Sequence, residues 1–349
     1  MNFLDREKRY VSVKALKGYA TELVQRGVMW ELAALQRLSL PSTGPPSDHC
    51  LRLIAHFIHP GKGQDGNHLC LVTQLLAGDV RTLQVSMKNN AFPLPLAKRV
   101  LLHILRGIEY MHRYGVTHTD LKHDNILFDL GRLTTADVSA IVEADPPRLN
   151  PPEASWDSTV QSAVSQPLPL PSSVEDAMTR TYLIADFGSA QSSTAHTIDE
   201  ITPAVLRAPE TILRGPWNEK VDIWTFGCLA FEFVTGAGLF EYQPYDQHGL
   251  DAAGGHLWQM MYFTGERFTP EQLQASTNAS QYFDSTCWLK SHPPNFTNPF
   301  SMSLSNYKTL QENEVASVAA LMKRCLRLNP ENRPSAQELL KDPFWEGVV

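Results

Sequence analysis

Apolar residues along this 349-residue chain fall into short strand-like runs and helical stripes. Residues 10–14, Tyr-Val-Ser-Val-Lys, alternate between apolar and polar side chains, which is typical of a strand with one buried face. Residues 51–58 and 69–76 are short and almost continuously apolar, and we expect two buried strands there. In residues 30–38, leucines recur every three positions and predict a helix. The first part of the chain is therefore predicted to mix strands with one helix.

The remainder is mainly helical by its pattern. Apolar residues recur at helical spacing in four stretches, which we assign to helices at residues 94–114, 221–234, 315–326 and 335–340. The second of these is very apolar. Residues 182–185 read as a short strand. Between residues 241 and 298 the pattern weakens, and only residues 256–263 suggest a further helix.

Residues 129–181 differ from the rest in composition, because they are rich in proline, serine and acidic residues. Such a segment cannot bury enough apolar surface to offset the entropy lost on ordering. We therefore expect it to be largely disordered. Its role is open between a docking or localisation segment and an inert linker.

Composition and charge exclude several classes of protein. With 43% hydrophobic residues the chain can form a sizeable core, yet no apolar run reaches the ~18 residues of a transmembrane helix. The charged start of the chain is no signal peptide, and five scattered cysteines indicate reduced intracellular thiols. A net charge of -7 disfavours direct nucleic-acid binding. We expect a monomer without membrane contact, in the cytoplasm and/or the nucleus.

The most informative stretch is polar and runs from His118 to Asn125 between apolar neighbours. It holds Asp120, Lys122 and Asn125, which suit the handling of a proton, a phosphate and a metal ion. This stretch resembles the catalytic loop of protein kinases, H-x-D-x-K-x-x-N. Two further kinase motifs follow in the same order, Asp-Phe-Gly at residues 186–188 and Ala-Pro-Glu at residues 208–210.

The resemblance to eukaryotic protein kinases implies an α+β fold of two lobes. Residues 1–76 would form a truncated small lobe, with a sheet that lacks its first strands and with the helix called αC in that family. Residues 77–349 would form a large, mainly helical lobe that carries the insertion at about residues 129–181. Nucleotide would bind in the cleft between the lobes.

The same resemblance assigns roles to the polar loop and the Asp-Phe-Gly motif. Asp120 would accept or orient the proton of the substrate hydroxyl, and Lys122 would neutralise the γ-phosphate. Asn125 and Asp186 would hold Mg²⁺ across the phosphates of ATP, and amide and carboxylate oxygens suit this ion. ATP and Mg²⁺ are thus the implied cofactors.

The small lobe would supply the rest of the nucleotide site. Lys14 stands where kinases have the lysine that contacts the α and β phosphates, and Glu31 would be its ion-pair partner on the αC helix. Backbone groups near Gln74 and Leu76 would bond the adenine, with Thr73 guarding the back of the pocket. In the large lobe, the resemblance pairs Arg333 with Glu210.

Several features resemble the SR-protein kinases, a branch of the CMGC group. That branch shares the sequence His-Thr-Asp at residues 118–120 and a long insertion before the Asp-Phe-Gly motif. It implies transfer to serine in Arg-Ser-rich splicing factors. Leu206 and Ala204 depart from the branch's motif, so this substrate preference is open. Docking of such substrates would use acidic residues of the weakly patterned region, if these are more than solvated surface: Asp246, Asp251, Glu266 and Glu271.

Thr119 stands where most kinases carry an arginine that receives a phosphate of the activation loop. We therefore predict activity without phosphorylation of the segment that contains Ser192, Ser193, Thr194 and Thr197. Residues 61–66 match G-x-G-x-x-G by letters, but predicted strands lie on both sides, so we interpret them as a hairpin loop.

No glycine precedes Val11, although kinases cover the ATP phosphates with a glycine-rich loop from the strands at this place. The sequence is then a fragment or a wrongly started gene model, or the nucleotide roof is missing. Two functions remain: an active serine/threonine protein kinase, or a catalytically impaired pseudokinase that binds proteins. The Ala-Pro-Glu motif and the Trp224 helix disfavour a kinase of small molecules.

Overall fold

A computed structural model describes residues 10–40, 44–62, 66–154, 159–294 and 298–348. The fold is α+β and has two lobes, as predicted: a small lobe built on a sheet and a large lobe built on helices. The predicted absence of a glycine-rich loop concerns residues 1–9, which lie outside the described residues.

The small lobe contains three strands and two helices, which are β1 (Val11–Ala15), α1 (Gly18–Gln25), α2 (Glu31–Ser39), β2 (Leu53–Pro60) and β3 (Asn67–Gln74). The strands form an antiparallel sheet in the order β1-β3-β2, so the three predicted strands and the predicted helix are confirmed. The expectation that residues 51–58 form a buried strand is wrong, because β2 lies at the edge of the sheet and is exposed along almost its whole length. The hairpin between β2 and β3 is confirmed as well, although residues 63–65 at its tip lie outside the described part.

Successive side chains of β1 point to opposite faces of the sheet. Lys14 pairs with Leu71 in the sheet, and this face turns inward, where Leu71 is buried. Helix α2 buries Leu35 and Leu38, as its leucine spacing predicts. Val13, on the other face of β1, is exposed. Ser12 and Lys14 therefore face the cleft, and the apolar residues of β1 do not form the buried face that its alternation predicts.

The first half of the large lobe comprises β4 (Gly78–Asp79), α3 (Val80–Val85), α4 (Leu94–Arg113), β5 (Val116–Thr117), β6 (Ile126–Phe128), α5 (Thr135–Ala144), β7 (Glu153–Ala154), β8 (Thr159–Val160), α6 (Val174–Ala177), β9 (Tyr182–Ile184) and β10 (Gln191–Ser192). Strands β4, β6 and β9 form a small sheet. The loop from Val116 to Asn125 thus leads into β6, next to the strand that ends before Asp186.

The second half comprises α7 (Pro209–Ile212), α8 (Lys220–Thr235), α9 (Ala252–Thr264), α10 (Pro270–Gln274), α11 (Ala279–Tyr282), α12 (Phe300–Asn306), α13 (Glu312–Cys325) and α14 (Ala336–Leu339). Helix α8, which was predicted from its apolar residues, is buried almost throughout. Arg333 donates two hydrogen bonds to Glu210, of 2.6 and 2.7 Å, and this buried pair ties the Ala-Pro-Glu motif to the end of the chain.

The expectation of a largely disordered insertion is wrong for much of it. Helix α5 begins with a capping box in which Thr134 and Asp137 satisfy each other's backbone amides, and Val138 is buried. Arg180 is buried too, and it donates to Asp176 and to the carbonyl of Asp129. The composition of the segment did not indicate the capping box or the contacts of Arg180. Residues 155–158 lie outside the described part.

Among the residues that the structure describes, none of the helices combines the length and apolar character that a bilayer crossing needs. The same residues contain no group of three or more His, Cys, Asp or Glu side chains suited to holding a metal ion by themselves.

Candidate active site

A cavity of about 380 Å³ lies between the lobes. This volume is in the range of small-molecule sites. The residues that line it come from β1, α2 and β3 above and from the polar loop and the Asp-Phe-Gly motif below, and they are Ser12, Lys14, Glu31, Leu35, Leu51, Leu71, Thr73, Gln74, Leu75, Leu76, Asp124, Asn125, Leu127, Ala185 and Asp186. Six of the eight predicted site residues therefore share one cavity wall.

Lys14 joins the two lobes. Its ammonium donates to Glu31 at 2.7 Å and to Asp186 at 2.8 Å. Burial alone would lower the pKa of Lys14, but the charge of Glu31 and the hydrogen bonds to both carboxylates outweigh it and raise the pKa. Lys14 is therefore a cation at neutral pH, as a phosphate contact requires.

Asp186 has a left-handed backbone, with φ of 59°, directly after β9. This conformation is rare outside glycine and is often found at functional sites. Burial alone would raise the pKa of its carboxyl, but the hydrogen bond and charge of Lys14 outweigh it, so the pKa lies below its ordinary value. The carboxylate is 49% exposed, which leaves it accessible from the cavity.

The catalytic loop is held by its own side chains. Asp120 Oδ2 accepts from Lys122 Nζ at 2.8 Å and from Asn125 Nδ2 at 3.0 Å. The same nitrogen of Asn125 donates to the Asp120 carbonyl at 2.8 Å. Both contacts use the amide nitrogen, so Asn125 Oδ1 remains available towards the cavity. Asp120, Lys122 and Asn125 are thus brought together as predicted.

Asp222 fixes the backbone of this loop from α8. Its two carboxylate oxygens accept from the amides of His118 at 2.9 Å and Thr119 at 3.0 Å, and His112 Nε2 lies 2.9 Å away. The carboxylate is buried, so these partners compensate for its removal from water. Asp222 therefore anchors the catalytic loop from beneath.

Thr119 replaces a charged contact with neutral ones. Its hydroxyl donates to the Ser189 carbonyl at 2.7 Å, and its own carbonyl accepts from the Thr202 hydroxyl at 3.0 Å. Farther along, Gln191 Oε1 accepts from the amides of Thr197 and Ile198. The segment between the Asp-Phe-Gly and Ala-Pro-Glu motifs is therefore connected to the catalytic loop without a phosphate. Sequence reasoning did not find Gln191 or Thr202.

Asp124 and His123 were also missed. Asp124 lines the cavity, and one of its oxygens lies 2.7 Å from His123 Nδ1. Burial alone would lower the pKa of His123, but the hydrogen bond and charge of Glu232 outweigh it and raise the pKa above 6.5. Arg81 approaches both groups from α3. The only available signal was that both residues belong to the same polar stretch.

Strand β3 ends at Gln74, and the chain then crosses from one lobe to the other. Gln74 and Leu76 line the cavity, and Thr73 beside them is buried. The wall is therefore formed where the resemblance expects the adenine contacts. The roles predicted for the eight site residues stay predictions, since the geometry shows only where they lie.

Two of the four acidic residues proposed for substrate docking make structural contacts within the large lobe. Asp251 accepts from the Gly254 amide and caps α9. Glu266 pairs with Arg327 and accepts from the Leu328 amide. The remaining candidates, Asp246 and Glu271, are exposed. Glu271 lies in the first turn of the short helix α10, where a carboxylate stabilises the helix end.

Comparisons with known proteins agree with this geometry. The protein kinase domain model matches residues 3–144 and 175–345. The serine/threonine-protein kinase SRPK of Physarum polycephalum is 26% identical, over 91% of this chain and 76% of the relative. The human dual specificity protein kinase CLK1 is 24% identical, over 97% of this chain and 60% of the relative.

A plant relative and a solved structure extend the comparison. The serine/threonine-protein kinase AFC3 of Arabidopsis thaliana is 26% identical, over 97% of this chain and 76% of the relative. The crystal structure of a kinase domain superposes with a TM-score of 0.66 at 22% identity, over 98% of this chain and 89% of that one. The second likeness supports the fold alone.

Proposed function

Since this chain belongs to the protein kinase domain family, we propose that it is a serine/threonine protein kinase that transfers the γ-phosphoryl group of Mg-ATP to a protein hydroxyl. The observation that carries this proposal is the convergence of Lys14, Asp186 and the Asp120 loop on one cavity. Phosphoryl transfer asks mainly for positioning and neutralisation of charge, which these groups supply.

The residues present fit a magnesium-loaded nucleotide. The Asp186 carboxylate faces the cavity, and the free amide oxygen of Asn125 provides a second hard ligand for the ion. When bound, Mg-ATP would supply the phosphoryl group and the metal charge that stabilises its oxygens. Lys14 would bind the phosphates, in place of part of its present contact with Asp186.

Asp120 would orient the substrate hydroxyl and accept its proton. Lys122 and Asn125 hold this carboxylate in place, and both donate to the same oxygen, so the other oxygen is left for the substrate. Lys122 would also reach the transferred phosphoryl group as charge develops there. Gln74 and Leu76 would bind the base at the opposite end of the cavity.

A finer proposal concerns the substrate. We infer an SR-protein-kinase type of enzyme that prefers serines next to arginine, because a relative named for that branch matches 91% of the chain and the chain is acidic. Splicing factors rich in Arg-Ser repeats have this chemistry. Action on them would place the enzyme in the cytoplasm and/or the nucleus.

A pseudokinase that acts as a binding module remains the second candidate. The observation that favours it is that β1 lies at the edge of the small sheet, so within the described residues no further strand extends the sheet beyond β1 over the cavity. Such a protein would bind partners without phosphoryl transfer.

The test is phosphoryl transfer from Mg-ATP to an Arg-Ser peptide and to a matched Ala-Ser peptide. Asp120→Asn is expected to lower the rate about 10³-fold, as loss of a catalytic base does. Glu22→Gln, which alters an exposed carboxylate on α1, is the control. Equal rates on both peptides would refute the arginine preference. Nucleotide binding without transfer would support the pseudokinase.

A further inference from the structure

The strand that delivers Asp186 is held along both edges. On one edge β9 pairs with β6, and the Ala185 amide donates to the Asn125 carbonyl at 2.8 Å. On the other edge the backbone of residues 49–51 runs beside β9: the Ile184 amide donates to the His49 carbonyl at 3.0 Å, and the Leu51 amide donates to Ile184 at 2.8 Å. Residues 49–51, which lie along this second edge, do not belong to the catalytic loop.

Two histidines complete this second edge. His49 Nδ1 lies 3.0 Å from the Tyr182 carbonyl, and His103 Nδ1 lies 3.1 Å from the Tyr182 amide. The two rings are in contact, with centroids 4.4 Å apart. Helix α4, which carries His103, comes so close that a Cβ on Gly107 would lie 2.6 Å from the His49 carbonyl oxygen.

The partners dictate the proton on each ring. A carbonyl can only accept, so His49 Nδ1 must carry a hydrogen and donate it to Tyr182. An amide can only donate, so His103 Nδ1 must lack a hydrogen and accept from Tyr182. A charged His103 would carry hydrogens on both nitrogens and could not accept this bond.

Surroundings favour the uncharged form of both rings. The charged and titratable groups close enough to act on the pair are Arg99 and Arg106 from α4, Asp48 beside His49, and Tyr182 from β9. Burial, helped by His49 and the two arginines, lowers the pKa of His103 to about 3. Burial also lowers the pKa of His49, against the opposing effects of Tyr182 and Asp48.

We propose that His49 and His103 are positioning residues. Through their contacts with the Tyr182 backbone they fix the position of β9, and β9 in turn sets the orientation of the Asp186 carboxylate in the cavity. Only Ala185 separates β9 from Asp186, so a shift at Tyr182 or Ile184 reaches the carboxylate directly. The inference rests on the proposed function, since Asp186 is its predicted metal ligand.

The test compares His103→Leu with His103→Asn. Leucine fills similar space but cannot accept the Tyr182 amide, whereas the asparagine Oδ1 can take the place of Nδ1. The readout is binding of Mg²⁺ with the nonhydrolysable analogue AMP-PNP, measured by calorimetry at pH 7.5. We expect His103→Leu to raise the magnesium concentration for half-maximal binding about 10-fold, as loss of an outer-shell partner does, and His103→Asn to raise it about 2-fold or less.

A second readout tests whether His103 is uncharged in the fold, as its hydrogen bond from Tyr182 requires. Histidines kept neutral by the fold stabilise it fully above pH 6.5, and this contribution is lost as the pH falls from there towards about 3. Between these values His103→Asn should weaken the pH dependence of the unfolding equilibrium constant by up to about tenfold per pH unit.

Equal magnesium requirements for His103→Leu and the parent, or equal losses for leucine and asparagine, would overturn the inference. An unchanged pH dependence in His103→Asn would also overturn it. If the parent chain does not bind magnesium-loaded AMP-PNP, both the inference and the proposed function fail. Binding without phosphoryl transfer to any peptide would overturn only the proposed function.

Discussion

Two ion pairs of similar geometry lie in different parts of this molecule. In the cleft, Lys14 and Asp186 are 2.8 Å apart and their side chains are 48% and 49% exposed. In the large lobe, Arg333 and Glu210 are 2.6 Å apart and their side chains are 0% and 7% exposed. An exposed pair contributes little to stability, whereas a buried charge left without its partner is strongly destabilising. Burial, rather than distance, therefore distinguishes a pair that can exchange partners from one that holds the fold.

The largest expected effect separates the two pairs by activity. Asp186→Asn removes the negative charge of a carboxylate that we propose as a magnesium ligand. The rate of phosphoryl transfer should therefore fall about 10³-fold, as for loss of a main electrostatic contact. The free energy of unfolding should change by about 1 kcal/mol or less, because the pair is half exposed. Peptide phosphorylation and chemical denaturation measure the two quantities.

Glu210→Gln is the matched control for this variant, since it neutralises a carboxylate of the buried pair. It should lower stability much more than Asp186→Asn does. A large loss of stability in Asp186→Asn with little loss of rate would show that the cleft pair is structural, and the contrast between the pairs would be lost.

The buried pair gives the next largest effect. Arg333→Met leaves Glu210 buried without its partner and should cost about 3–5 kcal/mol of unfolding free energy. Combining Arg333→Met with Glu210→Gln should cost less than the sum of the two single changes, because no uncompensated charge then remains. Denaturant unfolding of the four proteins measures this coupling. Additive losses would mean that the two side chains do not act as a pair.

Much of both pairs could be predicted from the sequence, because they depend on short motifs. Lys14 ends an alternating strand, Glu31 begins a leucine-spaced helix, and Asp186 and Glu210 lie in motifs of fixed spacing. Such motifs specify local backbone, and local backbone sets where the side chain points. The alternation of β1 predicts that Val13 and Lys14 lie on opposite faces, but not which face turns inward: Val13 is exposed, and Lys14 faces the cavity.

Contacts between segments that are distant in the chain and contain no recognisable motif could not be predicted from the sequence. His49 and His103 meet only because residues 49–51 and α4 both pack against β9. The fold of residues 129–181 was missed for a similar reason. Its composition suggests disorder, yet the capping box at Thr134 and the buried Arg180 stabilise local structure. Average composition does not record single anchors of this kind.

The smallest expected effect concerns a third kind of connection, which is neither an open nor a buried ion pair. The activation segment is attached to the catalytic loop by the hydroxyls of Thr119 and Thr202, and no charge takes part. A phosphate on Thr197 would therefore find no arginine at position 119 to receive it. Thr197→Ala and phosphatase treatment should each change the rate of peptide phosphorylation by about 2-fold or less, the size expected of a surface change.

Thr119→Ala is the variant that sharpens this case, because it removes one of the two neutral contacts, the hydrogen bond from the Thr119 hydroxyl to Ser189, and leaves the phosphorylatable residues in place. Loss of one hydrogen bond of about 1 kcal/mol should lower the rate about fivefold if the segment must be held for activity. Because Gln191 also holds the segment through Thr197 and Ile198, a total loss is not expected. Two results together would contradict this: a strong rise in the rate of peptide phosphorylation when Thr197 is phosphorylated, and an unchanged rate in Thr119→Ala. They would show that charge controls this segment and that the neutral contacts do not affect activity.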